Sequence, residues 1–194
     1  LTGYCKKDVE VSKQHYKKIW KILVIYLVIS IFTLFFRKFY LQDGVSLYNL
    51  IIGIFNFTTL SYGWYVEMYI GLFLLIPFLN ILYKNLKSKK QKQLLIVTLF
   101  LISSIPQTVS TLVISNHSLD FLPNWWGSLY PLLLYFVGCY ISEYKIRLSK
   151  AINIILIFSL LFLESFMMYF YCQGSSLNAM IHIDYNYFPA ILLA

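Results

Sequence analysis

Glu67 and Glu164 are the two acidic side chains that interrupt long apolar runs, and a carboxylate in hydrocarbon is costly enough to be read first as a functional group. Glu67 follows Trp64 by three residues, which places it near a membrane interface, either solvated or facing a cavity. Glu164 lies thirteen residues beyond Ala151. At about 1.5 Å per residue that is roughly 20 Å along a helix, in the outer half of a span, where Glu164 is a candidate cavity residue. General-base chemistry has three histidines to draw on: His15 in a basic N-terminal segment, and His117 and His182 between apolar runs. None has an orienting acid beside it. Asp184 follows His182 by two residues, a spacing without meaning in a loop. None of the three histidines is expected on a helix facing the interior of a bundle.

A different chemistry is offered by the stretch Tyr-Lys-Lys-Ile-Trp-Lys at residues 16–21. Lys18 and Lys21 are three apart and share one helical face. Two ammonium groups so placed either clamp a polyphosphate or meet anionic lipid and the positive-inside rule, and composition alone points to the second. Trp64, Tyr65, Trp125 and Trp126 fall at expected interfaces, where aromatic rings anchor helices; a sugar platform is the competing use. Cys5, Cys139 and Cys172 are scattered, without metal-ligand spacing, and read as free packing residues. No GxSxG, HExxH, P-loop or GxGxxG pattern is present, and no metal site is expected.

The elements that must position these residues follow from composition. Hydrophobic residues make up 59% of the chain and charged ones 12%, far from the balance of a water-soluble domain. The surplus is arranged in runs long enough to span hydrocarbon as helices. The expected helices cover residues 18–40, 64–83, 94–116, 121–142 and 151–172, and a sixth begins at 185–194. All Lys and Arg other than Arg37 and Lys38 fall in residues 2–21, 84–92 and 145–150, which assigns those segments to the cytoplasm. The net charge of +8 therefore reflects topology, and nucleic-acid binding is not expected. The same distribution makes the apolar segment 45–62 a re-entrant or outer-leaflet element, since a crossing there would export the lysines of 84–92. The fold class is all-α, a polytopic transmembrane bundle of five complete spans and a truncated sixth. Residues 1–194 form one domain, without repeat or linker. A start at Leu1 and an end inside an apolar run suggest a piece of a longer chain, cut at both ends.

Four stretches resemble the membrane-bound acyltransferase family 3. Leu1-Thr2-Gly3-Tyr4 resembles the S-G-F/Y end of that family's second helix, with Thr2 for Ser. Lys18-Ile19-Trp20-Lys21 resembles the R-x-x-R pair opening its third helix, with lysines substituted. Trp64-Tyr65-Val66, running to Pro77-Phe78-Leu79-Asn80, is similar to a W-Y-[LV] helix closed by P-[FL]-L-N. Tyr130-Pro131 with Tyr135-Phe136-Val137-Gly138 is similar to a later helix ending in F-x-x-G. One departure is that many members carry W-S-L-x-x-E, so Glu67, three residues after Trp64, does not inherit that acid's role.

The resemblance implies an acyl-CoA-dependent O-acyltransferase of the cell envelope. It would move an acyl group, commonly acetyl, from acetyl-CoA to a hydroxyl of a cell-surface polysaccharide or other carbohydrate, in a multi-pass, bacterial-type plasma membrane. It implies Lys18 and Lys21 as donor-binding residues and a catalytic His upstream of Leu1, so that the 194-residue chain alone would be inactive. Trp64, Glu67 and Glu164 remain candidates for a cavity or acceptor site. The competing classes are a polysaccharide-pathway flippase, which would show paired broken helices and midplane charges, and a non-catalytic membrane subunit. Acetyl-CoA binding separates the first reading from both.

Overall fold

The chain's apolar runs form helices because in hydrocarbon every backbone N–H and C=O must be satisfied within the segment. The computed structural model describes residues 2–41, 46–60, 63–105, 123–145 and 149–172, and the regular elements among them are all helical. They are α1 (Thr2–Lys6), α2 (Lys13–Lys17), α3 (Ile19–Phe35) continued by a π turn (Phe36–Tyr40), and α4 (Leu47–Phe55). After these come α5 (Gly63–Asn85), α6 (Lys89–Ser103), a 3-10 turn (Asn124–Leu129), α7 (Tyr130–Tyr144) and α8 (Lys150–Cys172).

Two helical stretches among the described residues are long and apolar enough to cross a membrane, Lys13–Tyr40 and Gly63–Asn85. They contain the helices expected over 18–40 and 64–83. Helix α8 matches the expected 151–172, with a shorter strongly apolar part at Lys150–Leu163. Two other expectations shift. Helix α6 starts at Lys89 rather than Leu94, because the Ser88 hydroxyl accepts from the Gln91 N–H while the Gln91 side chain accepts from the Ser88 N–H. Helix α7 starts at Tyr130 rather than at 121, with Pro131 in its first turn, where a missing N–H costs no hydrogen bond. The expected sixth segment at 185–194, the end of the helix expected over 94–116, and His117, His182 and Asp184 lie outside the described residues.

Helix α4 lies in the segment expected not to cross. Its nine residues reach about 14 Å, half the hydrocarbon thickness or less. It ends in a Schellman turn: the Thr58 N–H donates to the Gly53 carbonyl at 2.8 Å and the Phe57 N–H to Ile54 at 3.3 Å. Phe57 sits at φ 56°, the left-handed position glycine usually takes. Its ring lies 4.7 Å from that of Tyr26, and the Tyr26 hydroxyl donates to the Ile54 carbonyl at 2.7 Å. Residues far apart in sequence thus close the end of α4.

The chain divides into two compact units, Asp8–Lys84 and Leu1–Lys7 with Asn85–Ala194. In the first, Tyr26, Leu34 and Ile54 form a buried cluster against Phe57, Leu60 and Val66. In the second, α1 lies on α7 with almost no side chain between the two backbones. A Cβ on Gly3 would overlap the Tyr135 carbonyl, and one on Gly138 would come within 2.9 Å of the Tyr4 nitrogen. Close approach through small residues is the ordinary way helices associate in lipid, where no hydrophobic effect drives them together. Large apolar side chains stay uncovered along α3 and α8, among them Val28, Phe32, Ile155, Phe158 and Phe162. Such surfaces suit lipid rather than water.

Candidate functional site

Lys18 is the joint between α2 and α3. Helix α2 is capped by the Ser12 hydroxyl, which accepts from the His15 N–H at 3.2 Å. The Lys18 N–H donates to the His15 carbonyl at 3.0 Å and the Lys21 N–H to the Lys18 carbonyl at 3.2 Å. Lys18 and Lys21 are therefore held one turn apart, at the foot of an apolar helix. Both are exposed, and among the described residues neither has an ion-pair partner. Two unpaired ammonium groups on one turn can accept a polyanion without first giving up another contact.

His15 corrects the expectation drawn for it. It lies on a helix after all, α2, with only 4% of its surface exposed. The physical reason is Pro77. A proline has no N–H, so the carbonyl four residues before it, that of Phe73, lacks its helical partner. The His15 Nε2 lies 2.9 Å from that carbonyl oxygen, and the imidazole stacks on the Phe73 ring with centroids 4.1 Å apart and planes at 13°. A carbonyl only accepts, so Nε2 carries the proton. Seven residues further along α5, the Asn80 amide donates to the Val9 carbonyl at 2.7 Å. Phe73, Ile76, Pro77 and Asn80 make one buried stripe at helical spacing. The segment leading into α3 is thus fastened to α5 at both ends.

Two other candidates of the same unit, Trp64 and Glu67, are not drawn to this point. Trp64 is half-buried with its ring edge-on to Tyr65 at 6.0 Å, and Glu67 is exposed. Glu67 precedes Phe73 by six residues, about 9 Å along the helix axis, and lies on a different face. Glu164 falls on α8, in the other unit.

One pair was missed in the sequence. Lys92, counted there as a loop lysine, is buried on α6, and its ammonium lies 2.7 Å from both carboxylate oxygens of Glu143 on α7. Lys89 stands 5.1 Å from the centre of the Tyr144 ring, and Gln93 donates to the Tyr140 hydroxyl at 2.9 Å. The available signal was Ser88-Lys89-Lys90-Gln91, a capping pattern that puts Lys92 one turn inside a helix. For His15 the signal was a proline inside an apolar run, which leaves a carbonyl that some donor must meet.

A family model described as an acyltransferase domain matches residues 1–194. No curated protein and no solved structure matches the chain significantly.

Proposed function

Because the chain belongs to acyltransferase family 3 and is a membrane acyltransferase in type, we propose that it serves a multi-pass enzyme moving an acyl group from acyl-CoA to a carbohydrate hydroxyl. The donor would be acetyl-CoA in the cytoplasm and the acceptor a cell-surface polysaccharide, in a bacterial-type plasma membrane crossed by five spans of this chain. The observation that carries the reading is the exposed Lys18 and Lys21 pair at the foot of α3, within a chain that the acyltransferase model matches from end to end.

In this reading Lys18 and Lys21 hold the phosphates of the coenzyme. Charge-assisted contacts of ammonium to phosphate are strong, and a lysine, as a point charge on a flexible stem, tolerates the varied geometry of a pyrophosphate. The apolar wall of α3 then borders the path of the acyl-thioester arm. Trp64 and Glu67 are assigned to the acceptor side, where an aromatic face and a carboxylate suit a sugar, and Glu164 stays a separate candidate cavity residue on α8. The reading assigns no role to a metal.

The test is transfer of labelled acetyl from acetyl-CoA to envelope carbohydrate by the intact protein in membranes. Lys18→Ala with Lys21→Ala should raise the donor KM about tenfold or more, since two charged contacts are lost, and leave membrane insertion unchanged. An unchanged KM at limiting acetyl-CoA would return both lysines to a purely topological role.

A further inference from the structure

Resting on the reading of Lys18 and Lys21 as the donor site, we infer that His15 is a positioning residue for acyl-donor binding, operating through the backbone gap that Pro77 opens in α5. The imidazole donates from Nε2 to the Phe73 carbonyl, the one acceptor in that turn deprived of its helical N–H. The backbone carbonyl of His15 itself accepts from the Lys18 N–H at 3.0 Å. One residue therefore joins α5 to the first lysine of the pair, and the Lys21 N–H donates in turn to the Lys18 carbonyl at 3.2 Å.

The arrangement is economical in rotational freedom. Helix α2 has five residues, too few to be stable in isolation, because a helix this short never recovers the unfavourable nucleation of its first turn. Its place must come from outside, and the contacts that supply it are the stacked and hydrogen-bonded His15 ring and the bond between Asn80 and Val9. Without the first, the joint at Lys18 is free to swing, and the two ammonium groups lose their common orientation before a donor arrives. Ordering them then falls on binding itself, which weakens affinity without touching the chemical step.

This role differs from that of a base. Nε2 is committed to a carbonyl that the fold needs satisfied, and the ring is buried against Phe73. The prediction is accordingly an effect on donor KM, not on kcat.

The experiment uses the intact protein in membranes, with acetyl-CoA as the probe, and reads donor KM, kcat and hydrogen exchange of the amides in Lys13–Lys17. His15→Ala should raise the donor KM about tenfold, the size of one net hydrogen bond with its ordering, while kcat stays within about twofold and exchange in α2 rises. His15→Gln, whose amide nitrogen reaches about as far as Nε2, should recover most of the affinity. Pro77→Ala gives the Phe73 carbonyl an internal partner, so His15→Ala made in that background should add much less than it does alone. Faster exchange in α2 with an unchanged KM would reduce the bond to a structural role and overturn the inference. Additive effects of His15→Ala and Pro77→Ala would overturn the link through the carbonyl. If the unaltered protein neither binds nor uses acetyl-CoA, the donor-site reading itself fails, and exchange in α2 still reports whether the His15 bond holds the segment.

Discussion

The contact of α1 with α7 and the contact of α2 with α5 solve the same problem by opposite means. At the first, Gly3 and Gly138 remove side chains so that two backbones meet directly, and the Cys139 thiol and the Tyr135 hydroxyl donate to the carbonyls of Gly3 and Lys6, each at 3.4 Å. At the second, a proline opens the backbone, and side chains fill the gap with short bonds of 2.9 Å and 2.7 Å. The difference teaches what each contact can tolerate. Steric contact between backbones cannot relax when an atom is added, whereas loss of a side-chain bond removes a restraint without driving the helices apart.

The largest expected effect therefore falls on Gly3. Gly3→Val should push α1 off α7, because the added Cβ meets backbone and not a movable side chain, and destabilise the protein by about 3 kcal/mol or more. Gly138→Ala, with its Cβ 2.9 Å from the Tyr4 nitrogen, should cost less, about 1–3 kcal/mol. Thermal unfolding of the detergent-solubilised protein measures both. An unshifted midpoint for Gly3→Val would refute the close backbone contact.

An intermediate effect is expected at Lys92 and Glu143, a charged contact in the same unit as the glycine contact. Lys92 is 8% exposed, and the pair's side chains are 10% and 37% exposed, so the interaction is partly screened from the solvent side of Glu143. Glu143→Gln should destabilise by about 1–3 kcal/mol, since it leaves an ammonium buried without its counter-ion. Lys92→Met with Glu143→Gln should cost less than Glu143→Gln alone. A double variant as unstable as the sum of its singles would show that the two charges do not act as a pair.

The smallest effect is expected at Asn80. Asn80→Leu keeps the volume and loses the bond to Val9, for about 1–2 kcal/mol and faster hydrogen exchange ahead of α2. A loss as large as that of Gly3→Val would erase the distinction between the two kinds of contact.

The sequence by itself determined the class of the molecule and the extent of its longest helices. Apolar runs of about twenty residues bounded by Lys and Arg have few other uses, so α3 with its π turn, α5 and α8 were legible to within a residue or two. The four stretches that carry the family resemblance were legible as well, though not what they pack against. Only the tertiary structure decided that. It joined the first stretch to the fourth through Gly3 and Gly138, and the stretch ending in Pro77 and Asn80 to the segment that leads into Lys18. It also put His15, not expected on an inward-facing helix, into a buried place on α2, and turned Lys92 from a loop charge into half of an ion pair. The partners stand 58 residues apart for His15 and Phe73 and 51 apart for Lys92 and Glu143. Hydropathy and helical period are local properties that say which face of a helix is apolar, whereas the choice of partner is made by packing between helices distant in sequence.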